Sequence, residues 1–256
     1  MPDILSDRAV IALTGPEAKS FLQGLVTNDV TELTPDNPVY AALLSAQGKI
    51  LFDFLLHADG EGVLIDCMAE ARPALIKRLS LYKLRAKLEI APRDDLAVVL
   101  QGPADPRHNA LPPRSIQPIA GAPTDAAYLT ARLALGIPEG PDFGSERIFA
   151  LDAGLDELHG VAFDKGCYVG QELTARMKHR GTDRKRVIVV TTVDGTPLPA
   201  LGTAVKAGDS ELGQITAAYS DRGFALIRLD RLGETTGALT AEDITVTLTK
   251  QEWLFS

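Results

Sequence analysis

Residues 164–186, DKGCYVGQELTARMKHRGTDRKR, place one of the two cysteines of the chain between two glycines and directly before a predicted helix. Gly166 and Gly170 flank the short segment that contains Cys167, and this spacing predicts a tight turn. Residues 171–179 have the composition and the apolar spacing of a helix. We therefore expect Cys167 to lie on a turn at a helix N-terminus.

The predicted position of Cys167 favours a reactive thiol. Free backbone N–H groups and the helix dipole stabilise a thiolate at a helix N-terminus, and Lys165 adds a positive charge nearby. Such a thiol is suited to nucleophilic, redox or metal-ligating chemistry. A small cysteine buried in a glycine turn is an equally common alternative, and residue chemistry alone leaves both open.

Three motifs resemble a known family. KGCYVGQE, followed by AR and RG, resembles the signature of the YgfZ family of folate-binding, GcvT-like proteins. These proteins are relatives of the aminomethyltransferase (T-protein) of the glycine cleavage system and of mitochondrial iron–sulfur assembly proteins. ALTGPEAKSFLQGLVTNDV and SAQGKILFDFLL resemble the first motifs of the same family. Aminomethyltransferases carry an aspartate at the cysteine position, so Cys167 favours the YgfZ branch.

The resemblance implies a folate-binding accessory protein for the maturation or repair of iron–sulfur proteins, which thereby supports tRNA modification. The implied cofactor is tetrahydrofolate or a derivative, and the implied partners are iron–sulfur client enzymes such as tRNA methylthiotransferases. Cys167 would be the functional thiol, and Lys165 would tune it. The residues expected to shape and hold the turn are Gly166, Tyr168, Gly170, Gln171, Glu172 and Arg176.

Two other functions stay open at this point. A tetrahydrofolate-dependent aminomethyl or one-carbon transferase would need an acidic residue where Cys167 stands. A plain folate-binding or scaffolding module would leave Cys167 with a structural role only.

The resemblance also implies three folate contacts, Asn28, Asp53 and Tyr128. Each has an ordinary alternative: a helix stop for Asn28, the solvent-facing side of a strand for Asp53, and a strand tyrosine for Tyr128. Stacking of a pterin on an aromatic ring is physically sensible. A second pocket aromatic of some relatives would fall near Arg8 here, which is a departure from the family pattern.

Composition restricts the function classes. The chain has 256 residues, 45% hydrophobic content, a net charge of −8 and a pI near 5.1, which argues against a general nucleic-acid binder. It contains no apolar run of membrane-spanning length, and we predict no membrane partner. Cys67 and Cys167 have no CxxC spacing, so we expect neither a disulfide nor a metal site built by this chain alone. A cytoplasmic location is the simplest prediction.

Apolar patterning predicts an α+β fold. Strands are expected at residues 8–13, 39–46, 50–58 and 63–67, whereas residues 103–123 are rich in proline and read as a long surface connection. Together with the resemblance, this predicts a GcvT-like fold. Two interleaved sheet-and-helix subdomains over residues 1–183 would surround a central cleft that the Cys167 turn faces, and residues 184–256 would form a C-terminal β-barrel.

Two basic segments stand out in this acidic chain. Residues 77–87 are most simply a solvated helix face, with an anion-binding rim for a polyglutamate tail or RNA as the alternative. The second segment is most simply the charged end of a helix. Direct contact with tRNA phosphate is the minor alternative, because no aromatic platform accompanies this segment. Its cations are Arg176, Lys178, Arg180, Arg184, Lys185 and Arg186.

Overall fold

The structure is a computed structural model that describes residues 3–123, 125–180, 185–233 and 237–255. Its helices are α1 (Ala18–Gln23), α2 (Arg72–Lys83), α3 (Asp125–Leu135), α4 (Gln171–Arg180) and α5 (Leu229–Leu232). Its strands are β1 (Asp3–Ile4), β2 (Arg8–Thr14), β3 (Val39–Leu44), β4 (Ile50–Asp59), β5 (Gly62–Met68), β6 (Glu89–Pro92), β7 (Leu96–Val99), β8 (Ser115–Pro118), β9 (Ala122–Pro123), β10 (Lys185–Thr192), β11 (Ala204–Ala207), β12 (Ser210–Tyr219), β13 (Arg222–Arg228), β14 (Leu239–Ala241) and β15 (Ile244–Thr249). None of these helices is long and apolar enough to cross a membrane.

The first sheet is antiparallel, with strand order β3-β4-β5-β2-β6. The four strands predicted from apolar runs are therefore confirmed, and a turn at residues 45–49 joins β3 to β4. Strands β3, β4 and β5 are buried along almost their whole length, as expected for apolar runs covered on both faces. In this strand order β3 and β6 are the two opposite edges of the sheet. Helix α2 packs on β2 and β6.

The second sheet has strand order β8-β7-β1-β9 and draws β8 and β9 from residues 103–123. The prediction of a surface connection over these residues is therefore wrong. Asp105, Arg107 and Arg114 are each at most 1% exposed. Proline and charge normally mark an exposed loop, but here the charges find partners of opposite sign inside the protein, which makes their burial possible.

The C-terminal part is a closed barrel with strand order β10-β13-β12-β11-β14-β15, as predicted. The predicted boundary between residues 183 and 184 falls among residues that the structure does not describe, so it stays a prediction. After β15 the chain returns to the rest of the protein. The side-chain amide of Gln251 donates to the carbonyls of Gly136 and Val187, at 3.0 and 3.1 Å.

A shared core joins these parts. One apolar cluster contains Val10 of β2, Tyr40 of β3, Val98 of β7, Val189 of β10 and Phe224 of β13, each at most 1% exposed. It therefore includes side chains of both sheets and of the barrel. Burial of such side chains is the main favourable term in folding, so the three parts stabilise one another.

Eight buried charged side chains lie between the five-stranded sheet, the 103–114 segment and α3. We call this cluster the buried ion network; its members are Arg8, Asp66, Asp105, Arg107, Arg114, Arg132, Glu139 and Asp142. Arg107 pairs with Glu139 at 2.5 Å and with Asp105 at 2.7 Å. Asp66 accepts from Arg8 at 2.6 Å and from Arg114 at 3.1 Å.

Glu139 shows how the network balances burial against charge. Burial raises the pKa of Glu139, but the guanidinium groups of Arg132 and Arg107 outweigh burial and hold this pKa well below its usual value. The carboxylate is therefore charged and fully paired at neutral pH. Removal of one partner from such a network leaves an uncompensated charge in the interior, which is costly.

Asp66→Asn should lower the free energy of unfolding by about 3–5 kcal/mol, because Arg8 and Arg114 would lose their shared counter-charge. A urea titration should show a lower midpoint with an unchanged slope. The control is Asp94→Asn: Asp94 pairs with Arg72 at 2.7 Å but is 77% exposed, so its loss should cost less than about 1 kcal/mol. Equal losses in the two variants would contradict a structural role for the network.

Candidate functional site

The two cysteines differ in access to solvent. Cys167 is exposed and lies four residues before α4 begins, so the alternative of a buried cysteine in the turn is wrong. Cys67 is the penultimate residue of β5, lies in the core and is 1% exposed. Burial raises the pKa of Cys67 to about 12, which keeps this thiol protonated and unreactive. Cys167 is thus the accessible thiol of the chain.

Gly170 fixes the turn that carries Cys167 against the β3–β4 turn. Its φ of +83° lies in the left-handed region, and an added Cβ would come within 2.6 Å of the Ser45 carbonyl oxygen and 2.9 Å of the Leu44 Cβ. Gly166 has open space around an added Cβ. Of these two glycines, Gly170 is therefore the one whose position leaves no room for a side chain.

Tyr168 and Gln171 close the turn onto the helix. The Gln171 side-chain oxygen accepts from the Tyr168 N–H, and the Gln171 N–H donates to the Tyr168 carbonyl, both at 3.3 Å. Tyr168 is 7% exposed and belongs to the shared core. Glu172 and Arg176 pair at 3.0 Å on the exposed side of α4, where such a pair adds little stability.

Lys165 ties the turn to the segment before β3. Its ammonium donates to the carbonyls of Val26 and Asn28 at 2.8 and 2.6 Å, and lies 5.3 Å from the ring centre of Tyr168. Burial lowers the pKa of Lys165 to about 8, and Asp29 acts against this shift. The direct effect of Lys165 is thus on the position of the turn, and its influence on the thiol stays a prediction.

Asn28 is used within the protein. Its amide donates to the carbonyls of Tyr40 and His159 at 2.8 and 2.7 Å, and its oxygen accepts from the Asp29 N–H at 2.9 Å. These bonds hold the segment around Asn28 beside β3. They also leave the side-chain amide of Asn28 without a free donor for a ligand.

Asp53 is 5% exposed, so its predicted alternative position on a solvent-facing side is wrong. Its carboxyl accepts from the Gly140 N–H at 2.9 Å and from the Tyr40 hydroxyl at 3.1 Å. Burial raises the pKa of Asp53, with Arg8 opposing and Glu139 adding to the shift. Asp53 is the one predicted folate contact that lines a cleft.

That cleft has a volume of about 270 Å³. We call it the Asp53 cleft; it is lined by Ile50, Leu51, Phe52, Asp53, Cys67, Met68, Glu70, Ala71, Gly140, Pro141, Phe143, Gly144 and Ser145. No residue of segment 163–180 is among these lining residues. Cys167 therefore does not line the Asp53 cleft, and the expectation that its turn faces a central cleft stays a prediction.

Tyr128 lies on helix α3 rather than on a strand, and it is 2% exposed. Its hydroxyl donates to Glu139 at 2.8 Å and accepts from Arg107 at 2.8 Å. The Arg114 guanidinium lies 4.7 Å from its ring centre. Side chains of the buried ion network thus occupy both the hydroxyl and the ring, so Tyr128 has no face free for a pterin.

Sequence reasoning missed the buried ion network. Arg8 stands where some relatives were expected to carry a pocket aromatic, and it pairs with Asp66 instead. Arg107 and Arg114 lie in the segment that we read as exposed. The alternation of Asp and Arg at residues 105–107 was the available signal, but its partner Glu139 lies 32 residues away.

Three cations of the basic segment after Cys167 form ion pairs: Arg176, Lys178 and Arg186. Lys178 contacts Asp156 at 2.9 Å, and Arg186 donates to the Leu151 carbonyl at 2.8 Å. Arg184 lies outside the described residues. These contacts agree with the simpler interpretation, a charged helix end, and direct tRNA contact stays a minor prediction.

Gly170→Ala should destabilise the protein by about 1–3 kcal/mol, because alanine at this φ is strained and its Cβ meets backbone. The matched control is Gly166→Ala, which has no neighbour within 4 Å and should be near neutral. Thermal unfolding measures the stability, and the rate of Cys167 alkylation reports on the turn. An unchanged stability of Gly170→Ala would contradict the close packing of Gly170 against the β3–β4 turn.

Comparison with known proteins gives the family. A family model of the CAF17 C-terminal beta-barrel domain matches residues 184–256. The human mitochondrial iron–sulfur cluster assembly factor IBA57 is 31% identical, over 89% of this chain and 77% of the relative. The mouse protein of the same name is 30% identical, over 97% and 84%. The Coccidioides immitis homologue is 35% identical, and the chain spans 61% of its length.

The fold has a solved counterpart. The glycine cleavage system aminomethyltransferase T from Bartonella henselae superposes with a TM-score of 0.73 over 98% of this chain and 85% of that protein. At 14% identity this likeness shows the fold alone, and it confirms the predicted GcvT-like architecture.

Two expectations change with these comparisons. The cytoplasmic prediction is wrong, because these IBA57 relatives are all named as mitochondrial proteins. The family shown is also more specific than the YgfZ resemblance, which stays a plausible wider relationship. The chain belongs to the IBA57 family of iron–sulfur cluster assembly factors.

Proposed function

We propose that this protein is an accessory factor for the maturation or repair of iron–sulfur proteins, and that Cys167 is its functional thiol. The relatives are named as iron–sulfur cluster assembly factors, which supports a role in the maturation of iron–sulfur proteins. The single observation that supports the role of Cys167 is its exposure on a turn held rigidly by Gly170 and Lys165, while Cys67 is buried. A fixed, accessible thiol is what a transient ligand, a redox centre or a nucleophile requires.

The surroundings of Cys167 favour a transient, shared ligand. Protein-bound iron–sulfur clusters are commonly held by four thiolates. The described residues contain no group of three or more His, Cys, Asp or Glu side chains placed to hold a metal ion. A cluster that meets Cys167 would therefore take its other ligands from a partner or client. Client enzymes such as tRNA methylthiotransferases would link this role to tRNA modification.

The aminomethyl-transferase alternative has less support. Cys167 stands at the position where aminomethyltransferases are expected to carry an aspartate. The likeness to the Bartonella enzyme concerns the fold alone. We therefore propose no one-carbon transfer step for this protein.

We further propose that tetrahydrofolate or a derivative places its pterin ring in the Asp53 cleft. Phe52 and Phe143 supply apolar walls, and the Asp53 carboxyl can accept N–H groups from a pterin edge. The volume of about 270 Å³ lies just below the roughly 300–1,000 Å³ of pockets for drug-sized ligands, so the ring would fit and the tail would lie outside. Tyr128 and Asn28 would not contribute.

Cys167→Ala should abolish function without loss of fold. In a strain that lacks the gene, wild type should restore methylthiolation of tRNA, whereas Cys167→Ala at equal abundance should give the level of the empty vector. Cys67→Ala is the thiol control and should complement because that thiol is buried; since Cys67 also lines the Asp53 cleft, this variant should first be shown to bind tetrahydrofolate like wild type. Full complementation by Cys167→Ala would refute the role of the thiol.

Asp53→Asn should weaken tetrahydrofolate binding by about tenfold or more, because a carboxylate that accepts hydrogen bonds contributes about 1.5–3 kcal/mol. Tyr128→Phe should leave the affinity unchanged, since Tyr128 does not line the cleft. Calorimetric titration of the folded variants measures both. The opposite pattern, with binding lost only in Tyr128→Phe, would place the ligand elsewhere.

A further inference from the structure

Helix α2 and the residues that follow it form a basic segment in an acidic protein. Residues 71–88, ARPALIKRLSLYKLRAKL, contain no acidic residue, whereas the whole chain has a net charge of −8. Arg72 pairs with Asp94. The other cations, with the two exposed leucines between them, make up what we call the α2 ridge: Lys77, Arg78, Leu81, Lys83, Leu84, Arg85 and Lys87.

The cationic side chains of the α2 ridge form no ion pairs within the described residues, and the one carboxylate bonded to the ridge is Glu17, which accepts from the backbone N–H of Lys87 at 2.9 Å. Most other arginines of the chain do form ion pairs. Lys77, Arg85 and Lys87 are exposed. The ridge is thus a positively charged surface that is free to attract an anionic partner.

The two leucines are on the outward side of the helix. Leu75 and Leu79 face the core at 0% exposure, whereas Leu81 lies one turn beyond Lys77 and is 64% exposed. Leu84 follows the last residue of α2 and is 87% exposed. Side chains exposed to this extent protrude from the surface and do not line a groove.

Leu84 also has an unusual backbone. Its φ of +44° lies in the left-handed region, which is unfavourable for a bulky residue. Such strain persists only where the surrounding structure imposes it, and it is common at functional positions. Leu84 thus combines a strained backbone with an exposed side chain among the cations.

We propose that the α2 ridge docks the protein reversibly onto an anionic lipid bilayer. Lys and Arg side chains attract anionic headgroups, and apolar side chains beside them enter the boundary between headgroups and acyl chains. A bilayer accepts protruding leucines without a matching pocket. Binding of single-stranded RNA would instead be favoured by aromatic platforms, and protruding leucines contribute nothing to phosphate contacts with a duplex. This proposal departs from the expectation of no membrane partner.

Docking through the α2 ridge leaves Cys167 accessible. The ridge lies over β2 and β6, whereas Gly170 seats the Cys167 turn on β3 at the opposite edge of the five-stranded sheet. Four strand spacings of about 4.8 Å separate these edges, which is about 19 Å. This arrangement would keep the thiol free for partners at the membrane surface.

The test is co-sedimentation of the full chain with vesicles of phosphatidylcholine alone or of phosphatidylcholine mixed with phosphatidylglycerol. Wild type should bind the anionic vesicles about tenfold or more tightly, and added salt should weaken this binding. Lys77→Gln combined with Arg85→Gln should lose about fivefold per cation. The charge control is Lys206→Gln on the barrel, which should bind like wild type.

A leucine variant separates the bilayer from other anions. Leu81→Gln combined with Leu84→Asn should lose about tenfold in vesicle binding. The thermal transition of this variant verifies that it folds. Leu201→Gln is the control, because Leu201 is 58% exposed on the barrel. Equal binding to both kinds of vesicle, or an unaffected leucine variant, would overturn the proposal, as would binding to tRNA or polyglutamate but not to vesicles.

Discussion

The ion pairs of Glu139 with Arg107 and Arg132 join parts of the chain that have no strand pairing with one another. Arg107 comes from the segment before β8, and Arg132 from α3. The network extends to the barrel, because the Tyr219 hydroxyl donates to Asp142 at 2.7 Å. Since a buried charge is tolerable only when it is paired, each part of the network requires the others to be in place.

This constraint also decides where a ligand can bind. The ring and hydroxyl of Tyr128 are held by Arg114, Arg107 and Glu139, so the interior near α3 is filled by the protein itself. Asp53 instead lines an open cleft, which the Gly140 N–H borders. The family resemblance therefore identified the fold, but of Tyr128 and Asp53, two of its implied folate contacts, only Asp53 lines the cleft.

The features that sequence predicted well are local. The Cys167 turn follows from the spacing of two glycines and the start of α4, all within a few residues. The failures involve partners far apart in the chain: Arg114 pairs with Asp66 across 48 residues, and Arg132 bonds Tyr219 across 87. A proline-rich segment with isolated charges reads as a loop unless those partners are known, and no periodicity reveals them.

In the proposed role of Cys167 as a transient cluster ligand, the fixed backbone of its turn would influence how readily the thiol binds and releases a cluster. Gly170, Lys165 and Gln171 fix the backbone on both sides of Cys167, so little conformational freedom is lost when the thiol binds. A single thiol nevertheless supplies only one ligand, and the described residues around it offer no metal-binding group to hold a cluster tightly. A prepositioned but incomplete ligand set favours rapid association together with easy release. That combination suits an accessory factor better than a permanent cluster carrier.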